Sequence, residues 1–358
     1  MLPITGTLTF FAAILNMTQK LTIRDVAEAA GVSTQTVSRV INSRPDVSPD
    51  TRARVQHVVK ELGYSPNVIA RSLSRGRTNT FGVVGYGLSY FGPASVLSGI
   101  EQKSNELGFS LLLSLLDDFD GAQIDGILKN LLSRQVDGII WAVPGNDRLI
   151  GEVSGRLSNI AAPVVYLNKL ENRDEVIVAM DNRLGGRLAT NHLLEQGYRR
   201  IGIITGPIDW WEAQEREKGW RETMGEAGVT NLEELIVNGD WTAASGEIGL
   251  HNLLIKSPDI NAVFACNDQM ALGALQSARR MGINVPHDLG IVGFDDIPEA
   301  AYFFPSLTTI RQNANALGAL AVERMCSLIN ARKKDEQFEP DVKWIQPILV
   351  VRKSSIRV

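Results

Sequence analysis

Apolar residues recur at helical spacing in three successive runs between Thr22 and Gly63. The first run follows Thr22, a residue type that favours the helix N-cap, and stops at Gly31. The second run follows Ser33, and the third opens on Ser48 with a proline next to it. We therefore predict three short helices around one small core, with the first two joined by a tight turn as in a helix-turn-helix.

The second predicted helix has one apolar face and one polar face. Val37, Val40 and Ile41 point inward, which leaves a row of hydrogen-bonding side chains outside. Such side chains can contact base edges and phosphates. The candidate DNA contacts in this module are Thr22, Ser33, Thr34, Gln35, Thr36, Ser38, Arg39 and Asn42. An ordinary helical hairpin with a polar face is the alternative interpretation, and the third helix argues against it.

From residue 81 onward the pattern changes to apolar runs separated by amphipathic stretches of helix length. The predicted strands lie at residues 81–84, 110–116, 138–142, 164–167, 201–204, 262–266 and 289–294. Strands that alternate with helices favour doubly wound parallel sheets, and two sheets are needed to use all these strands. A chain of 358 residues is long enough for a small module and a large two-lobed core.

Charge is distributed unevenly along the chain. The formal net charge is −4, but residues 17–77 hold ten Lys and Arg against five Asp and Glu, so this stretch is +5 and the remainder is −9. Only the N-terminal module therefore suits a polyanionic partner such as DNA.

Residues 23–42 read Ile-Arg-Asp-Val-Ala-Glu-Ala-Ala-Gly-Val-Ser-Thr-Gln-Thr-Val-Ser-Arg-Val-Ile-Asn. This string resembles the signature of the lac repressor/galactose repressor (LacI/GalR) family of transcription regulators. The resemblance implies an N-terminal all-α helix-turn-helix module, a hinge helix, and an α/β core of two doubly wound parallel-sheet lobes, as in periplasmic binding proteins. It also implies a ligand-controlled regulator, most often a repressor, that binds a pseudo-palindromic double-stranded operator.

Domain limits follow from the pattern and the resemblance together. We expect the helix-turn-helix domain at 18–64, the hinge and linker at 65–79, and the core at 80–358. Lobe 1 should comprise about 80–179 and 313–340, and lobe 2 about 180–312 and 341–352. The chain would cross between the lobes near 179–182, near 309–313 and near 341.

The resemblance assigns a role to the short segment after Tyr64. It implies a hinge helix that forms on operator DNA, in which Asn67, Ala70 and Leu73 take the family's contact positions and Leu73 is a minor-groove wedge. Tyr64 belongs to the same group of candidate DNA contacts. A flexible linker is the alternative interpretation.

Ligands of open α/β sheets bind beyond the carboxyl ends of the strands. By the same resemblance, Arg216, Trp241, Asn267 and Asp295 fall on the family's effector contacts, although Asn267 can also cap the next helix. The complete set of predicted effector contacts is Pro93, Trp141, Asn168, Trp211, Arg216, Trp241, Asn267 and Asp295. An arginine and a carboxylate can clamp vicinal hydroxyls while tryptophan faces cover a pyranose ring, so we predict a sugar. A purine- or nucleoside-responsive, corepressed regulator of the same family is the alternative.

Two other function classes compete with a DNA-binding regulator. An enzyme could use the carboxylates of Asp117, Asp118, Asp295 and Asp296, but no nucleophile with an adjacent base accompanies them, so we do not predict an enzyme. A sugar-binding protein without DNA affinity is disfavoured by residues 22–78. We predict no cofactor, no metal and no membrane partner, and a homodimer because no leucine-heptad tail follows the last strand.

The N-terminal residues and the two cysteines help to predict the cellular compartment of the protein. Residues 1–16 are uncharged and partly apolar, but they lack a positive n-region and are too short to span a bilayer. Chains of the resembled family usually begin near Met17, so we expect a start assigned too far upstream and a disordered extension at 1–17. Cys266 and Cys326 lie in apolar patterns without metal-ligand spacing, which indicates buried reduced thiols in a cytoplasmic protein.

Overall fold

A computed structural model describes residues 21–42, 44–65, 77–117, 121–145, 153, 155–157, 159–168 and 175–357. The chain forms two compact units, Met1–Thr78 and Asn79–Val358. Several predictions lie outside the described residues, namely the extension at 1–17, the hinge contacts Asn67, Ala70 and Leu73, and Asp118.

The N-terminal unit contains three helices, α1 (Ile23–Ala30), α2 (Thr34–Ile41) and α3 (Pro49–Leu62). The N–H of Thr22 donates to Oδ2 of Asp25 at 2.7 Å, which caps α1. Gly31 ends α1 at a φ of 62°, a conformation that glycine adopts without strain. One core of Val26, Ala27, Ala30, Val37, Val40 and Val55 joins the three helices. The predicted helices and their common core are therefore present.

The second unit alternates strands and helices. Its first elements are β1 (Thr80–Tyr86), α4 (Phe91–Glu106), β2 (Ser110–Leu116), α5 (Gly121–Ser133), β3 (Gly138–Ala142), β4 (Val164–Leu167) and β5 (Val176–Met180). Then follow α6 (Asn182–Glu195), β6 (Ile201–Thr205), α7 (Trp211–Glu226), β7 (Ile236–Asn238), α8 (Ala243–Lys256), β8 (Ala262–Ala265), α9 (Asp268–Arg280) and β9 (Gly290–Asp295). The last are β10 (Thr308–Arg311), α10 (Ala314–Lys334), β11 (Val342–Ile345) and β12 (Ile348–Val350).

These strands form two six-stranded sheets, one in each lobe. The first sheet has the order β11-β5-β4-β3-β1-β2 and is parallel throughout. The second has the order β12-β10-β9-β8-β6-β7, in which only β12 is antiparallel to its neighbour. The carboxyl ends of the parallel strands meet at one edge of each sheet, which is where a ligand site is expected.

The chain passes between the sheets after β5, after β10 and after β11. The prediction that the last crossing lies near residue 341 is wrong, because β11 still belongs to the first sheet, where Val342 pairs with Ile177. Val342, Lys343 and Trp344 are all exposed on this edge strand. An edge strand need not bury either face, so it lacks the apolar run by which the other strands were predicted.

Apolar side chains fill both faces of the first sheet and surround the second. Cys266 is buried as predicted, whereas Cys326 on α10 is only half-buried, so that part of the prediction is wrong. In the described part of the chain, no helix combines the length and apolar character required to cross a bilayer.

Candidate functional site

Helix α2 exposes a polar face on the N-terminal unit. Val37 and Val40 are buried beneath it, while Thr34, Gln35 and Arg39 are exposed. Arg39 lies 3.6 Å from the carboxylate of Asp46, a contact that solvent screens. These three side chains therefore stand where a helix can present them to the edges of base pairs.

The other predicted contacts on α2 also stabilise the helix itself. Oγ of Ser33 accepts from the N–H of Thr36 at 3.1 Å and lies 2.9 Å from its hydroxyl. Nδ2 of Asn42 donates to the carbonyl of Ser38 at 2.8 Å. Tyr64 packs against the core of this unit and is half-buried. Ser33 and Asn42 thus have capping roles that operate without DNA.

Between the lobes of the second unit lies a cleft of about 420 Å³. The first lobe contributes a mostly apolar wall that includes Tyr90, Phe91, Pro93, Val96, Leu167 and Asn168. The second lobe contributes a wall of polar groups and tryptophans, with Trp210, Glu212, Arg216, Trp241, Asn267 and Asp295. The cleft is therefore amphipathic, as expected for a ligand with one apolar face and several polar groups.

Arg216 on α7 and Asp295 at the end of β9 form a nearly buried ion pair, with 3.9 Å between Nη1 and Oδ1. Nε of Arg216 donates to Oδ1 of Asn182 at 2.8 Å, and Nη1 donates to the carbonyl of Cys266. Gln312, in the segment that crosses between the lobes, donates to Asp295. Burial raises the pKa of Asp295 to about 6, although Arg216 and Gln312 oppose the rise. The pair presents a donor and an acceptor side by side, which suits neighbouring hydroxyl groups.

Asn267 has two roles at the start of α9. Its Oδ1 accepts from the N–H of Met270 at 2.8 Å, which caps the helix, and its Nδ2 donates to the carbonyl of Trp241 at 2.9 Å. The second bond holds Trp241 at a φ of 72°, which is unusual for a bulky residue. The indole fits beside Gly206, where a Cβ would lie 2.1 Å from the ring. Asn267 therefore fixes an aromatic surface in the cleft as well as lining it.

Trp210 is an aromatic cleft residue outside the predicted set of effector contacts. Its ring lies 5.7 Å from that of Tyr90 in the first lobe and 5.8 Å from that of Trp241 in the second, both edge to face. The prediction had assigned this role to its neighbour Trp211.

The prediction that Trp141 and Trp211 contact the effector is wrong. Both are buried in the core on one face of the first sheet, and neither is among the described residues that line the cleft. Trp141 is 4% exposed within that core, whereas the next two residues along the chain, Ala142 and Val143, line the cleft. Successive residues at a helix start also point in different directions, which sends Trp211 into the first lobe.

Glu212 and Gln312 are polar cleft residues that the sequence analysis missed. Glu212 is buried in the first turn of α7, and desolvation raises its pKa to about 7 against the opposing effects of its own N–H, Arg216 and Asn168. An acid in the first turn of a helix is common because it complements the helix dipole, so it carried no signal of a site. Gln312 lay in what was predicted only as a connection.

Asp117 and Asp296, two of the other carboxylates considered for an enzyme, have different surroundings. Asp296 forms ion pairs with Arg311 and Arg352, each at 2.6 Å, and Asp117 is exposed at the end of β2. Neither is among the described residues that line the cleft.

Comparison with known proteins identifies the class of this molecule. Residues 22–67 match the family model of bacterial regulatory proteins of the lacI family, and residues 190–355 match a periplasmic binding protein-like domain. The chain is 34% identical over 333 residues to the ribose operon repressor of Haemophilus influenzae, covering 93% of this chain and 98% of that protein. The chain belongs to the lacI family.

Two further lacI-family matches cover nearly the whole chain. The HTH-type transcriptional repressor PurR of Edwardsiella ictaluri is 35% identical over 337 residues, or 93% of this chain and 96% of that one. The crystal structure of the lac repressor dimer bound to operator and the anti-inducer ONPF superposes with a TM-score of 0.85 at 29% identity, covering 95% of this chain and all of that one. The predicted family and fold class are confirmed, and the molecule is a DNA-binding regulator with a small-ligand core.

Proposed function

We propose that this lacI-family regulator is a cytoplasmic repressor, and not an enzyme, which binds a pseudo-palindromic operator as a homodimer. A neutral sugar in the cleft changes its affinity for that operator. The observation that carries the proposal is the Arg216–Asp295 pair, nearly buried in the cleft beside the ring of Trp241. Paired hydrogen bonds to vicinal hydroxyls and an aromatic surface for the sugar ring are the two requirements of pyranose recognition.

The charges of the cleft support a neutral ligand. Its described lining holds one cationic side chain, Arg216, and two carboxylic acids, Glu212 and Asp295. Arg216 is already engaged with Asn182, Cys266 and Asp295. A phosphorylated ligand would need additional positive charge, which this lining does not supply.

For DNA we propose that Thr34, Gln35 and Arg39 contact base edges in the major groove of each half-site. Their exposure on α2 supports this assignment, since the apolar side of that helix is buried in the unit's core. The relatives named above as repressors, one of them a dimer on its operator, support repression and dimerisation.

The test begins by selecting operator fragments from random genomic DNA with the full-length protein. Thermal-shift screening against pentoses, hexoses, disaccharides, purine bases and nucleosides then identifies the ligand. We expect a neutral sugar to stabilise the protein and to change operator affinity, with operator changing sugar affinity by the same factor. Stabilisation by a purine or nucleoside alone would refute the sugar assignment, and failure to retain any DNA fragment would refute operator binding.

A further inference from the structure

Glu212 belongs to the cleft lining and has a buried, unsatisfied carboxylate oxygen. The residue is 8% exposed and lines the cavity, and its Oε2 atom has no hydrogen-bond partner among the described residues. Buried carboxylate oxygens are normally hydrogen-bonded because leaving one unpaired in a desolvated site costs free energy. An acceptor maintained in this position therefore indicates a donor that arrives with the ligand.

The groups around Glu212 hold the carboxylate in place. The side chain of Asn168, at the end of β4 in the first lobe, hydrogen-bonds to it. Oδ1 of Asn168 is occupied by the N–H of Met180 at 3.1 Å, so the amide of Asn168 is fixed in orientation. Glu212 belongs to α7 of the second lobe, and a ligand that binds its Oε2 atom therefore contacts a bridge between the two lobes.

A second unsatisfied atom, on another residue of the cleft lining, has the opposite polarity. Nε1 of Trp241 is buried without a hydrogen-bond partner in the described part of the chain, and it can only donate. A ligand that donates a hydrogen bond to Glu212 and accepts one from Trp241 would satisfy both atoms. Hydroxyl groups and ring oxygens of a polyhydroxylated molecule provide both functions.

We propose that Glu212 determines ligand specificity, by accepting a hydrogen bond from a hydroxyl group of a neutral polyhydroxylated ligand and by repelling ligands that carry an anionic group there. The inference rests on the ligand-binding function proposed above and deepens it. It predicts that the regulator distinguishes a neutral sugar from the corresponding uronic acid or sugar phosphate, because two like charges in a desolvated cleft repel each other strongly.

Calorimetric titration of the full-length protein at pH 8 tests this inference. At that pH the carboxylate of Glu212 is charged, since its pKa is about 7. The probes are the neutral ligand that the screen identifies and its uronate or phosphate counterpart, such as D-glucose with D-glucuronate or D-ribose with D-ribose 5-phosphate. The variants are Glu212→Gln and, as a matched control, Glu215→Gln, whose carboxylate on the same helix pairs with Lys218 outside the cleft lining.

We expect the wild type to bind the neutral probe at least about 10-fold more tightly than the anionic one. Glu212→Gln should reduce that ratio about 10-fold or more, while Glu215→Gln leaves it unchanged. Equal ratios in the wild type and Glu212→Gln, or a wild-type preference for the anionic probe, would overturn the inference even if sugar binding stands. If the neutral ligand is a nucleoside, the sugar proposal has failed, and the nucleoside with its 5′-monophosphate decides this inference separately.

Ligand-free stability distinguishes specificity from a structural role. Glu212→Gln keeps the shape of the side chain and removes a buried charge, so its thermal midpoint at pH 8 should equal or exceed that of the wild type. A lower midpoint would mean that the carboxylate supports the fold, and the inference would then be wrong.

Discussion

In the N-terminal unit, the side chains proposed to contact DNA are exposed, whereas the proposed ligand contacts of the cleft are nearly buried. Gln35 and Arg39 are exposed to solvent and are not part of the core beneath α2. Arg216 and Asp295, in contrast, are 5% and 8% exposed and hold each other and their neighbours in place. On α2, the residues proposed to contact base edges therefore differ from those that cap the helix, Ser33 and Asn42, whereas in the cleft the same residues have both roles.

The difference has a physical origin. DNA is a large, highly charged surface that exposed side chains can reach, and phosphate contacts form at the surface. A small ligand must be surrounded to be bound, so its partners lose their water in advance. Those partners need other hydrogen bonds until the ligand arrives, and the bonds from Arg216 to Asn182 and Cys266 provide them.

The largest expected effect is that of Arg216→Ala. Removing one partner of a buried ion pair leaves Asp295 and Glu212 without their nearby positive charge, which should lower the unfolding free energy of the core by about 3 to 5 kcal/mol. Denaturant unfolding followed by tryptophan fluorescence measures this loss of unfolding free energy. Arg183→Ala is the control, because this residue of α6 pairs with Glu222 on the same helix as Arg216 at a more exposed position, and its loss should cost less than about 1 kcal/mol. Equal losses in the two variants would contradict the comparison.

A pH profile of unfolding should show the cost of the buried carboxylates. The pKa of Glu212 is raised to about 7 from 4.5, so the folded state retains a proton that the unfolded state has lost. Its contribution to the free energy of unfolding is therefore fully present below pH 4.5, declines as the pH rises through 7, and is lost at higher pH. The difference in unfolding free energy between Glu212→Gln and the wild type should change by about 2 to 3 kcal/mol between pH 5 and pH 8, in favour of the variant. A pH-independent difference would show that Glu212 has an ordinary pKa.

On α2, Gln35→Ala or Arg39→Ala should weaken operator binding by about 1 to 3 kcal/mol and relax the preferred sequence, through loss of a base contact. The unfolding free energy of either variant should remain within about 0.5 kcal/mol of the wild type, since both side chains are exposed. Binding-site selection and thermal unfolding measure the two effects. Unchanged sequence preference would show that the reading face lies elsewhere on the unit.

The smallest expected effect is that of Thr22→Ala, which removes a polar contact on the N-terminal unit. The hydroxyl of Thr22 donates to Asp25 at 2.8 Å, and losing it should destabilise this unit by about 1 kcal/mol. Helical circular dichroism of the unit during thermal unfolding would detect the loss. A variant as stable as the wild type would indicate that the N–H of residue 22 alone maintains the cap.

By itself, the sequence determined the features whose physical causes are local. The caps at Thr22, Ser33 and Ser48 predicted three helix starts, and the structure has helices beginning one residue after each. Buried parallel strands such as β3 and β6 are continuous apolar runs, which are visible without any knowledge of their neighbours. The role of Asn267 as a cap was also readable, because the residue directly precedes its own helix.

The tertiary structure alone decided which side chains meet in the cleft. Trp210 and Trp211 are adjacent in sequence, but one faces the ligand cavity and the other is buried in the core of the first lobe. Glu212 became a candidate only when burial raised its pKa and left Oε2 unpaired, and β11 joined the first sheet through pairing with β5. Burial, desolvation and strand pairing depend on residues that are distant in the chain. Local periodicity and residue type therefore do not predict them.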